Sequence, residues 1–130
     1  MVILSPQNAL WLVGLLQLKH VLADGPLQTS DMVVKKAVYG DFKGIAHALV
    51  HLAGTFIVFA AFAVPWGLAA ALAGLDGVLH YHIDFAKQWL VRRQGWTPQD
   101  PTFWWTLTAD QGLHNLTYIL MVAVVAARAG

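Results

Sequence analysis

The sequence predicts an all-α fold: a polytopic membrane protein with four transmembrane helices in an antiparallel bundle. Three observations lead there. Hydrophobic residues make up 58% of the 130 positions and charged residues only 12%, with a mean hydropathy of +0.57. A soluble globular chain carries roughly 25% charged residues, so this one has too little polar surface to face water all round. The apolar residues also fall into four stretches, each close to the ~20 residues that cross about 30 Å of hydrocarbon. Finally, Lys and Arg gather in alternate connections. The length suits one domain.

The first segment runs from about Ser5 to Asp24 and closes on Gly25-Pro26, a breaker pair. No Lys or Arg precedes it and no small-residue cleavage site follows, so a retained helix is expected and not a removed leader. The second segment covers about 44 to 64 and stops at Pro65. The third, about 66 to 89, follows so closely that the two must be antiparallel neighbours. The fourth covers about 105 to 127. Within the first long connection, "SDMVVKKAV" has the character of a short surface helix.

Charge sets the orientation. Lys35, Lys36 and Lys43 lie in the connection from 25 to 43, and Arg92 and Arg93 in that from 90 to 104, with Lys87 just before it. The opposite side carries only Arg128. By the positive-inside rule both long connections are cytoplasmic and both termini extracytoplasmic. Trp89, Trp96, Trp104 and Trp105 mark one interface and Trp66 the other. A net charge of +1 offers no electrostatic case for nucleic acid, and the absence of cysteine excludes disulfides, thiolate metal sites and a thiol nucleophile.

The polar residues of these segments repeat at one spacing. His20 and Asp24 close the first helix; His47 and His51 open the second. Asp76, His80 and Asp84 lie on the third, and Asp110 and His114 open the fourth. Residues four apart share a helix face, and the antiparallel order puts all of these ends on the cytoplasmic side. Nine His and Asp side chains are thus expected to converge in one half of the bundle. All seven acids are Asp and none is Glu, which suggests that reach matters, since Glu is the better helix former.

An intramembrane charge costs at least about 2.5 kcal/mol, so mutual hydrogen bonds, protons or a cation must offset it. Imidazole and carboxylate without sulfur suit a divalent transition metal, zinc first and iron or manganese next. Nine candidates exceed the needs of one ion and leave room for one or two. His47, His51, His80, His114 and Asp110 are expected nearest the metal, with His20, Asp24, Asp76 and Asp84 as ligands, outer partners or general base. Lys87 is placed to offset Asp84 or to reach water. His82, two positions from His80, points away from the stripe. Lys19 and Arg93 read as solvated charges, and Asn8, Gln17 and Tyr118 carry no strong signal.

Taken in order, "QLKHVLAD" with Gln28, "AHALVH", "LHYHIDFAK" and "DQGLHNLTY" resemble the small bacterial and phage membrane proteins grouped as domain of unknown function 3307. The likeness covers roughly residues 16 to 118. It implies a polytopic membrane protein whose recurring polar positions are His20, Asp24, Gln28, His47, His51, His80, Asp84, Lys87, Asp110, Gln111 and His114. Gly25-Pro26 stands where that family more usually has an aromatic. The resemblance implies no activity.

The expected function is a metal-dependent hydrolase acting on a lipid or other membrane-borne substrate, with Asp24 or Asp84 as proton acceptor and Lys87 steadying an oxyanion. The alternatives are a proton- or metal-handling transporter or sensor, and a non-catalytic membrane partner whose polar core only fixes helix packing. The topology has its own test. A cysteine at Gln94 should resist a membrane-impermeant maleimide in intact cells and react after lysis; labelling from outside would reverse the assignment.

Overall fold

A computed structural model describes residues 4–129, and its elements are five helices with no strand among the described residues. They are α1 (Pro6–Asp24), α2 (Ser30–Lys35), α3 (Phe42–Ala61), α4 (Trp66–Gln94) and α5 (Pro101–Ala129). The long helices form a closed ring of neighbours: α1 packs on α3 and α5, α3 on α4, and α4 on α5, while α2 lies against α3.

Local chemistry sets most of the ends. Ser5 caps α1 by accepting from the Asn8 N–H, with Pro6 at the first helical position, where its missing N–H costs nothing. Thr29 and Asp41 cap α2 and α3 in the same way. Gly25 closes α1: its N–H bonds the Val21 carbonyl at 2.9 Å, and a Cβ at this position would meet the same oxygen. Gly95, at φ +67°, ends α4 in the left-handed conformation that glycine adopts without penalty, and Trp96 N–H bonds back to the Val91 carbonyl.

α1 runs to Asp24, α3 stops at Ala61, three residues short of the expected end, and α4 starts at Trp66. α4 continues one turn beyond Trp89, and α5 begins one turn before Trp105, at Pro101. The α4 extension includes Arg92, Arg93 and Gln94, and the α5 extension opens on Pro101 at a first helical position. Among the described residues, only Phe42–Ala61 is long and apolar enough by composition to cross a membrane. The other three long helices carry Asn, Gln, Lys, His and Asp that lower their mean hydropathy.

The core is divided along its length. One half is apolar, built from Leu12, Leu16, Phe59, Leu72, Met121 and Val125. The other half buries His20, His47, His51, Asp76, His80, Asp84, Asp110 and His114. Between α3 and α4, Gly77 makes the close approach possible, since a Cβ there would lie 3.1 Å from Leu52 Cδ1. Gly77→Val should therefore lower the thermal midpoint in detergent, at a cost of about 1–3 kcal/mol for overpacking. Leu52→Ala in the same chain should restore most of the loss. Equal loss in the single and double variants would mean that the two helices do not meet here.

Candidate metal centre

The four-residue register of the sequence becomes a stack of levels. At the middle level each long helix contributes one histidine: His20, His51, His80 and His114. Their rings form a closed circuit with centroid separations of 5.2 Å (His20–His51), 3.4 Å (His51–His80), 4.0 Å (His80–His114) and 4.9 Å (His114–His20). One turn toward the apolar half lie Thr55, Asp76 and Tyr118, each four residues from one of these histidines. One turn the other way lie Asp24, His47, Asp84 and Asp110. His82 is exposed on the outer face, where its ring pairs with Tyr39 Oη at 3.1 Å.

The deepest level is a satisfied ion pair. Lys19 Nζ lies 3.0 Å from Asp76 Oδ2, 3.0 Å from Tyr118 Oη and 3.3 Å from His51 Nδ1. An ammonium has three donors, and here they meet three acceptors. Thr55 Oγ1 adds a 2.5 Å bond to Asp76 Oδ2. Lys19 is thus a site residue and not the solvated charge that its position suggested. It reaches inward because Gly54 leaves room for its stem: a Cβ there would lie 2.6 Å from Lys19 Cγ. Asp76, expected as a metal ligand, stands apart from the clustered ligand atoms. Its carboxylate is taken up by Lys19 and Thr55.

Hydrogen bonding also fixes two tautomers. Gln111 donates from Nε2 to Asp110 Oδ2 at 3.0 Å, so its Oε1 faces His20 Nε2 at 3.1 Å. An amide oxygen only accepts; hence His20 carries its proton on Nε2, and its Nδ1 accepts from Tyr118 Oη at 2.9 Å. The same Nε2 lies 3.1 Å from Asp24 Oδ2. His51, with Nδ1 facing the Lys19 ammonium, donates from Nε2 to Asp24 Oδ1 at 3.1 Å. His20 and His51 are therefore engaged as donors that orient Asp24. His51, expected among the nearest ligands, keeps its Nε2 in the grouping with Asp24, His47 and His80, while Lys19 takes its Nδ1.

What remains is the unsatisfied part. Both ring nitrogens of His47 and of His80, together with Asp110 Oδ1, are buried without a hydrogen-bond partner; Asp84 Oδ2 also lacks a well-aligned hydrogen bond but has the Lys36 ammonium 2.7 Å away. They are nevertheless close to one another. His47 Nε2 lies 3.1 Å from Asp24 Oδ1 and 3.4 Å from Asp84 Oδ2, and His80 Nε2 lies 3.3 Å from Asp84 Oδ2. His114 Nε2 lies 3.3 Å from Asp84 Oδ1 and 3.4 Å from Asp110 Oδ1. Asp84 sits at the centre, with one oxygen toward His47 and His80 and the other toward His114. Three groupings bring ligand atoms within 4.8 Å of each other: Asp24 with His47, His51 and His80; His20 with His80 and His114; and Asp84 with Asp110 and His114.

Two lysines close the polar end. Lys36 is buried, with Nζ 2.7 Å from Asp84 Oδ2 and 2.5 Å from Gln28 Oε1. Counting Lys36 as a loop charge missed this, since nothing in the connection's sequence shows that it folds back over the bundle. Gln28 in turn donates to the Asp24 carbonyl at 2.7 Å, which the Gly25-Pro26 turn permits. Lys87 approaches Asp110 more loosely, at 3.8 Å. Among the carboxylates of the core, Asp24 has the most solvent contact, 22% of its side chain against 4% for Asp84 and 2% for Asp110. Of the residues that were overlooked, Thr55 and Tyr118 had a readable signal, since each extends a histidine stripe by four.

A four-helix bundle with a His- and Asp-lined core at one end is the class that fold and site define. The family model described as "Protein of unknown function (DUF3307)" matches residues 12–129, and the chain belongs to that family. No curated protein and no solved structure matches it.

The Lys19–Asp76 pair yields a double-variant test. Lys19→Met strands a buried carboxylate and should cost about 3–5 kcal/mol in thermal or denaturant unfolding. Lys19→Met with Asp76→Asn should recover most of that. Additive losses would mean that the two side chains are not coupled.

Proposed function

We propose that this chain is a membrane-embedded metal protein, and that its metal serves hydrolysis of a lipid or other membrane-borne substrate. The observation that carries the reading is the set of buried, unpartnered atoms on His47, His80 and Asp110, gathered around Asp84. Leaving such groups unpaired costs about 1–3 kcal/mol each, and more where they are charged. Ligands 2.0–2.1 Å from one tetrahedral ion stand about 3.3 Å apart, and the separations around Asp84 run from 3.3 to 3.4 Å. The His47 and His80 contacts have the spacing of shared coordination without the geometry of hydrogen bonds, while His114 and Asp84 Oδ1 are hydrogen-bonded at 3.3 Å. Zinc is the first candidate and iron or manganese the next, as one or two ions; Asp84, facing both histidine groups, would be among the residues that hold them.

Embedding of the whole bundle is supported by its inverted polarity. Leu18, Val21, Ile57, Leu75, Val78, Leu116, Ile119, Leu120 and Val124 are exposed, while Lys36 and the His and Asp stripes are buried. Water favours the reverse arrangement, and a contiguous apolar surface of this kind marks a face meant for lipid. The residues that keep α1, α4 and α5 from reading as membrane spans by composition include Lys19, Asp76, Asp84 and Asp110, which the bundle encloses. In that frame both termini are extracytoplasmic, in a bacterial inner membrane.

In such a site a bound metal brings the pKa of its water toward about 7. Asp24 is suited to take the proton, because it keeps solvent contact while His20 and His51 hold it in place. Lys87 is suited to steady an oxyanion or phosphate. Asp84, paired with Lys36 and flanked by three histidines, fits ligation better than the general-base role first considered for it. A transmembrane relay is favoured less, because the polar levels end against Leu12, Leu16, Phe59 and Met121.

Elemental analysis of protein purified in detergent without chelator tests the reading. One or two transition-metal ions per chain are expected; His47→Ala and His80→Ala should each remove most of the metal, and His82→Ala should leave it. Folded protein with no metal, or full occupancy in both variants, would overturn the proposal. On mixed-phospholipid vesicles, hydrolysis should be lost with chelator and restored by zinc.

A further inference from the structure

Grooves run along the outside of the bundle between neighbouring helices. The α3–α4 groove, lined by residues such as Ile45, Leu49 and Val78, is close to wholly apolar, and in the α1–α3 groove Lys19 is already committed to three partners. The α4–α5 groove differs. It encloses about 380 Å³, within the range of small-molecule sites. Ala86 and Ala109, both exposed, leave the space between Ile83, Leu90 and Leu113. Two charged groups line its wall. Asp110 is buried and its Oδ1 has no hydrogen-bond partner; Lys87 keeps 17% of its side chain exposed and stands 3.8 Å from Asp110 Oδ2.

We infer that this groove is the lateral entrance to the metal centre and holds one acyl chain of an anionic glycerophospholipid, with the phosphate on the Lys87 ammonium. The inference rests on the membrane placement proposed above and names the substrate class for the same site. Asp110 ties the two together, since it lines the groove and also faces His114 across 3.4 Å. A tail already in hydrocarbon gains no hydrophobic free energy by entering a groove. Shape and head-group charge must therefore separate a held lipid from a passing one. The alanines supply the shape. Lys87 supplies the charge, because its contact with Asp110 is too long to be a strong hydrogen bond. Asp110 repels a phosphate from its own position and leaves the ammonium as the contact.

Native mass spectrometry of the delipidated full chain in detergent tests this, with metal content measured on the same samples. The probes are dioleoyl phosphatidylglycerol and dioleoylglycerol, which share acyl chains and differ by the anionic head. The wild-type chain should retain one phosphatidylglycerol, at least tenfold more than dioleoylglycerol. Ala86→Phe and Ala109→Phe, at exposed positions, should abolish retention while keeping the metal, and Lys87→Met should erase the discrimination between the two lipids. Equal retention of both lipids by the wild type, or undiminished phosphatidylglycerol in both phenylalanine variants, would overturn the inference. A chain that lacks metal yet still holds one phosphatidylglycerol would support the groove and overturn only the metal-dependent reading.

Discussion

The arrangement depends on one constraint: a charged side chain removed from water needs partners, and in this bundle they must come from other helices. Ten polar or charged side chains are buried, and no single helix can satisfy its own set. Lys19 on α1 meets Asp76 on α4, His51 on α3 and Tyr118 on α5. Asp24 on α1 takes donors from its own helix and from α3. Removing any one helix would leave uncompensated groups on the others, so the polar half holds the four helices in register. Apolar packing alone tolerates sliding and repacking; a network of directed contacts does not.

The stack of levels also separates structural from functional groups. At the deep end, next to the apolar core, donors and acceptors match one for one around the Lys19 ammonium. Toward the open end they do not match, and the deficit falls on His47, His80 and Asp110. A satisfied network rigidifies; a cluster of buried imidazoles and carboxylates whose donors and acceptors are not matched is suited to a cation or extra protons. The first supports the second, because Lys19 and Tyr118 set the tautomers of His51 and His20, and these orient Asp24. Such outer partners commonly tune a metal ligand set.

Placement relative to solvent follows from the same inversion. An interior of histidine and aspartate beneath an exterior of leucine and valine is the arrangement that a lipid surround favours, and it underlies both the proposed membrane placement and the proposed lateral route. Lys36 and Gln28 fold back over the polar end and cover it. Under that placement the α4–α5 groove gives a substrate another way in, with Ala86 and Ala109 as its opening.

Much of this was written in the chain itself. The steps of four in His20–Asp24, His47–His51, Asp76–His80–Asp84 and Asp110–His114 determine which faces meet, because the α-helical period is a local property and the alternation of helices fixes the shared end. His82 falls outside by the same rule, and breaker residues mark most boundaries. Tertiary structure alone decided who pairs with whom. Lys19 looked solvated because its inward reach depends on a glycine thirty-five residues away, Gly54. Lys36 looked like a loop charge because its burial depends on how a connection folds over the bundle end. Asp76, with the same spacing as the other aspartates, was drawn into an ion pair, which left the unpartnered atoms on the other levels. Spacing along a helix is set by covalent geometry, whereas pairing is set by which donors arrive in three dimensions, and that depends on every helix at once.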